Sequence, residues 1–118
     1  MSNELSVYAG LIFNKNGASA IANESVSVSI TGSNMVKDTQ EIGTTEETLE
    51  LPSDMSSAGF LLIKNLDDTN YVDIGVTTGV YTVRIKAGEI ALFRPTSTTI
   101  YAKADTAAVS IQKTFIED

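Results

Sequence analysis

The sequence predicts an all-β protein, an antiparallel β-sandwich that is jelly-roll-like or Ig-like with about seven to nine strands. Three observations carry this expectation. Apolar and polar residues alternate with period two in several short segments. Those segments are rich in Val, Ile, Thr and Tyr, the residues that suit a pleated surface. Gly, Asn and Asp interrupt them about every 8–12 positions, as turns do.

Each element follows from the same logic. Residues 25–31 read Ser-Val-Ser-Val-Ser-Ile-Thr, which places Val26, Val28 and Ile30 on one side of a half-buried strand. Gly32-Ser33-Asn34 turns the chain, and a weaker extended segment follows over residues 35–42. Residues 45–51 fit either an acidic helical turn or a short strand with Leu49 and Leu51 inward. The strand is favoured because a helix here has a poor apolar face, and Pro52 ends either element. Residues 59–63 are apolar without a gap, which implies burial on both faces or an interface on one. Asp67-Asp68-Thr69-Asn70 is expected to close a hairpin onto residues 71–75. Further strands are expected over 81–86, 90–93, 97–103 and 107–115, separated by turns at 77–79, 87–89 and 105–106. The core expected from these phases is Val28, Ile30, Leu62, Ile74, Val83, Ile85, Leu92, Ile100, Val109 and Ile111.

A chain of 118 residues supports one core and has no room for a second. Two regions are nevertheless expected, a sandwich over residues 24–118 and an N-terminal strand or attachment arm with its linker over 1–23. In the arm, Leu5, Val7, Tyr8, Leu11, Ile12 and Phe13 form an apolar strip. Residues 14–23, rich in Asn, Gly, Ala and Ser, read as a loop or linker. The strip is a candidate assembly interface, adding itself to a neighbour's sheet edge. The alternative is that it forms the first strand of the chain's own sandwich.

Composition narrows the chemistry. With no His and no Cys, the Ser-His-Asp and Cys-His triads, disulfides, and imidazole or thiolate metal ligands are excluded. No catalytic residue, cofactor or metal site is expected, and the chain reads as a non-enzyme. The acid pairs Glu46-Glu47 and Asp67-Asp68 are neighbours in sequence, so on strands they point to opposite faces. Asn65, Asp67, Asp68, Asn70 and Asp73 offer hard oxygen ligands for calcium but lack EF-hand spacing, and a hairpin turn wants the same residues. Tyr81, Arg84, Lys86, Phe93 and Arg94 are too few cations for a nucleic-acid groove in a chain of net charge −7. The same charge disfavours anionic membranes. The N-terminal residues have no signal-peptide pattern, and no apolar run is long enough to span a bilayer.

Several stretches resemble one family. They are Ile30-Thr31-Gly32-Ser33 with residues 39–47, then Gly59-Phe60-Leu61 with Asn65-Leu66-Asp67, then residues 70–75. Lys86-Ala87-Gly88-Glu89 and residues 100–109 complete the set. Together they are similar to small proteins and domains encoded among the virion genes of tailed phages, over roughly Val26 to the C-terminus. The resemblance implies a β-sandwich virion part, such as a head decoration (cement), neck or tail component. Such a part is made in the host cytoplasm and works through contacts with its own copies and with the major capsid, neck or tail proteins. The alternative function is a carbohydrate- or receptor-binding module of a phage tail, although no Trp and only four Tyr leave little for sugar stacking.

Overall fold

A computed structural model describes residues 4–51, 55 and 58–118, and its elements are all strands. In order they are β1 (Leu5–Lys15), β2 (Ala18–Val28), β3 (Met35–Ile42), β4 (Glu47–Thr48), β5 (Ala58–Asn65), β6 (Val72–Gly75), β7 (Val83–Ile85), β8 (Ile90–Phe93), β9 (Tyr101–Ala104) and β10 (Val109–Glu117). Two compact units divide the chain, one ending at Thr31 and one covering Gly32–Asp118.

The second unit is a sandwich of two four-stranded antiparallel sheets, ordered β3-β10-β5-β8 and β4-β9-β6-β7. The pairs are nested. β6 meets β7, β5 meets β8, β4 meets β9 and β3 meets β10. A long antiparallel ribbon rolled upon itself gives this order, which is the jelly roll. The nesting corrects one expectation. β5 and β6 do not form a hairpin, because residues 66–71 carry the chain from one sheet to the other.

Between the sheets lie Ile42, Leu61, Ile63, Val109, Ile111 and Phe115 from the first, and Val72, Ile74, Ile85, Ala102 and Ala104 from the second. Leu49 and Ile100 close the same cluster, and Val83 and Leu51 pack at its margin. Ile74, Ile85, Ile100, Val109 and Ile111 are therefore buried as the sequence suggests. Leu62 and Leu92 are not. Leu61 is fully enclosed while Leu62 is 39% exposed. They pair with Phe93 and Leu92 respectively, so both expected core leucines stand on the outer face. A gapless apolar run carries no parity, and a slip of one residue exchanges the faces.

Two side chains lock the sheets together. Asn65, buried at the end of β5, donates through Nδ2 to the carbonyls of Asn70 and Ile85, and its Oδ1 accepts from the Asp67 amide at 2.7 Å. Gln40 on β3 donates to the Thr48 carbonyl, and its own oxygen accepts from the Glu50 amide at 2.9 Å. Lys113 shares the inward phase of Ile111 and Phe115 yet is buried. Its Nζ pairs with Asp38 on the edge strand β3 at 2.5 Å, so the buried ammonium has a carboxylate partner that is itself half exposed. The stop assigned to Pro52 lies outside the described residues.

The first unit is a separate hairpin of β1 and β2. This corrects three expectations. Residues 14–23 are not a linker but the end of β1, the turn and the first half of β2. Residues 25–28 belong to the hairpin, so Val26 is exposed and Val28 only half-buried, while Ile30 lies beyond the strand and is also half-buried. The apolar strip is not the first strand of the sandwich, because among the described residues β1 pairs with β2 alone.

Candidate functional site

The turn decides the hairpin. Asn16 and Gly17 take φ of 52° and 82° between the paired residues Lys15 and Ala18. Positive φ at both central positions is the type I′ turn, whose twist matches that of paired strands, and Asn-Gly is its preferred sequence. At the open end, the Glu4 carboxylate accepts the Ile30 amide at 3.1 Å. Eleven cross-strand pairs run between these two points, from Leu5↔Val28 to Lys15↔Ala18.

The register sorts the side chains into two unlike faces. One carries Leu5, Val7, Ala9, Leu11 and Phe13 with their partners Val28, Val26, Glu24, Ala22 and Ala20. The other carries Ser6, Tyr8, Gly10, Ile12 and Asn14 opposite Ser27, Ser25, Asn23, Ile21 and Ser19. The first face is thus an almost continuous apolar ribbon, interrupted only by Glu24 and ended by Lys15. The second is mainly polar, with Tyr8 at one end and the Ile12–Ile21 pair at the other. Of the six expected interface residues, Leu5, Val7, Leu11 and Phe13 share the apolar face, while Tyr8 and Ile12 point the opposite way.

These side chains are largely in solvent. Leu11 is 76% exposed, and Tyr8, Ile12, Phe13, Ile21 and Val26 are also exposed. A lone two-stranded hairpin in water is marginal, and a monomer seldom displays so much contiguous apolar surface without a use for it.

The other candidate residues serve the fold. Glu46 grips the 77–81 loop, accepting from the Thr78 hydroxyl, the Gly79 amide at 2.7 Å and the Tyr81 hydroxyl at 2.5 Å. The Thr78 hydrogen bond, with those of Tyr81 and Gly79, holds the Glu46 carboxyl below its ordinary range, and the Glu46 contact pushes Tyr81 up to about 12. Where the loop leaves β6, a Cβ on Gly75 would lie 2.0 Å from the Val80 carbonyl oxygen, so only glycine fits that crossing. Glu47 turns the other way, to the Gly43 amide and the Gln40 side chain. The acid pair thus diverges as its spacing requires.

Asp67 accepts the Thr69 and Asn70 amides at 3.0 and 2.6 Å, and the Asn70 amide foremost lowers its carboxyl pKa. Asp68 accepts the Thr69 hydroxyl. Asp73 holds Arg84 with two hydrogen bonds, and that guanidinium lies over the Tyr71 ring at 3.8 Å. Arg94 lies over Phe60 and pairs with Asp118. The oxygens of the 65–73 segment therefore engage amides, hydroxyls and a guanidinium rather than converging on one point. Both arginines of the aromatic and basic group are spoken for by carboxylates. Among the described residues, no helix is long and apolar enough to cross a membrane.

The hairpin was hidden by its turn. Asn16-Gly17 between alternating segments is the strongest short hairpin signal a sequence offers, and it lies inside the stretch that reads as a linker. No family model matches this chain, and no curated protein or solved structure matches it either.

Proposed function

We propose that this chain is a non-enzymatic structural component of a tailed-phage virion, a head decoration protein or another particle-surface part. It acts through protein–protein contacts with its own copies and with neighbouring virion proteins. The observation that carries this reading is the exposed apolar face of β1 and β2, a surface whose use is to be covered. The family resemblance over residues 26–118 supplies the particle. A jelly roll agrees with it but does not select it, since lectin domains share that architecture.

The test is mass spectrometry of purified particles, with the copy number measured per particle. The chain is expected in the virion in a fixed number of copies. Particles made with Leu11→Glu and Phe13→Glu should lose the protein while the variant stays folded. Absence from purified virions, or full incorporation of the double variant, overturns the reading.

A further inference from the structure

The sandwich has an uncovered apolar surface of its own. On the outer face of the β3-β10-β5-β8 sheet, Met35, Ile116 and Phe60 form one cross-strand row, and Leu62 and Leu92 form part of the next, with Ile90 beside them. Ile90 is 67% exposed, Met35 nearly as much, and Leu62 and Leu92 are also open to solvent. The polar residues of the same face, Lys37, Thr39, Glu41, Lys64, Gln112 and Thr114, border this patch.

We infer that the apolar face of the hairpin of one copy docks on this outer sheet face of a second copy, and that two copies exchange hairpins reciprocally. This deepens the assembly reading by naming what covers the hairpin, and it holds or fails apart from any location in a virion.

Size is the first argument. A ribbon of 11-residue strands is about 36 Å long and, at two strands, about 10 Å wide. Its footprint is therefore about 360 Å². One such contact is under half of the roughly 800 Å² per partner that a stable interface needs. A reciprocal exchange makes each copy contribute one hairpin face and one sheet face, about 720 Å² in all, which is near that standard. The receiving sheet fits this footprint. Its strands run to nine residues, or about 30 Å, and its four strands are wider than the two-stranded ribbon.

Charge is the second argument. The chain as a whole carries −7, yet the charged groups of the outer sheet face are Lys37, Lys64 and Arg94 against Glu41 and the Arg94 partner Asp118. This face is the basic exception on an acidic protein. The apolar face of the hairpin carries one charge of each sign, Glu24 and Lys15, and so brings no net repulsion to this face, whereas two such sheet faces brought together set like charges against each other.

The experiment uses the full chain and two single variants, Leu11→Glu on the hairpin and Leu62→Glu on the sheet, in sedimentation equilibrium. Both positions are exposed, so circular dichroism should show the fold unchanged. The parent is expected to be a dimer. Each variant should weaken association by roughly tenfold or more, because a carboxylate is then buried unpaired. An equimolar mixture of the two should associate more tightly than either alone, since a mixed pair restores one intact hairpin-on-sheet contact. A monomeric parent overturns the proposal. So does an undisturbed Leu62→Glu dimer, which means hairpin packed on hairpin, or an undisturbed Leu11→Glu dimer, which means sheet on sheet. A mixture no tighter than its components also overturns it.

Discussion

Leu61 and Leu62 are adjacent, chemically identical and opposite in fate, so truncating each to Ala measures the register of β5 directly. Leu61 is fully enclosed, paired across strands with Phe115 and Phe93. Leu61→Ala removes about three methylene equivalents, or about 2.4 kcal/mol of transfer free energy at about 0.8 each, and leaves a cavity between the sheets. The total should reach about 3–5 kcal/mol. Leu62 keeps 39% of its surface in solvent. Its truncation gives up about 1.5 kcal/mol of transfer and opens no cavity, because water fills the space. Urea unfolding, followed by the near-ultraviolet dichroism of Tyr71, Tyr81 and Tyr101, reads the sandwich. With a slope of about 1.5 kcal/mol/M, Leu61→Ala should lower the midpoint by about 2 M or more, and Leu62→Ala by about 1 M or less. Dilute protein keeps association out of the comparison. Equal shifts, or a larger one at Leu62, refute the parity on which the core and the outer apolar face both rest.

Other perturbations probe the remaining elements. Gly17→Ala forces a Cβ into φ of 82°, a cost of about 1–2 kcal/mol on a hairpin with little to spare. Hydrogen exchange should then show residues 5–28 losing protection while β3 to β10 keep theirs, and equal loss throughout would refute the division into two units. The Tyr81 hydroxyl should ionise at about 12 in a spectrophotometric titration, and Glu46→Gln should return it toward the ordinary phenol value. The Glu46 carboxyl is lowered on folding, so its contribution is present above the unfolded value of 4.5 and is lost as pH falls through the folded value below it. In Glu46→Gln that acid-side loss should disappear, and an unchanged acid limb would sever the carboxylate from the loop. Because Asp67 engages the Thr69 and Asn70 amides, calcium and chelator should leave the melting temperature unchanged, both in the parent and with Asp67, Asp68 and Asp73 changed together to Asn. A drop of several degrees on chelation would establish a cation site there.

Period two and turn chemistry made the strands legible, but not their partners. The positions of β3, β4, β8 and β10 lie close to where the alternation and the turn residues place them. Which sheet each joins depends on side chains acting far along the chain. Asn65 looks like the start of a hairpin turn, yet its amide reaches the Ile85 carbonyl 20 residues on and directs the chain across the sandwich. Alternation misled most at Val26 and Val28, where a half-polar strand is as consistent with a free-standing hairpin as with a sandwich wall. For the candidate site, the apolar strip of β1 was readable, but its division was not. Once residues 18–28 are its partner, Leu11 and Phe13 share a face with Ala20 and Ala22, while Tyr8 and Ile12 turn toward serines and Ile21.

The nested ladder gives β1 and β2 a place apart in the hydrogen-bonding scheme. Each sandwich strand meets its opposite number in the roll, and inner strands gain a second neighbour, as β10 does between β3 and β5. β3 takes β10 as its ladder partner, and β1 and β2 satisfy their amides on each other. Closure through Asn16-Gly17 settles the hydrogen bonds but not the apolar face, since a two-stranded ribbon cannot cover itself. The sandwich meets a similar limit at its outer wall, where alternation fails at Leu62 and Leu92 and leaves apolar groups in water. Neither surface contributes to the core cluster. Substitutions there should therefore act on the proposed association and leave the nested ladder intact, so that association and folding are expected to respond to different mutations.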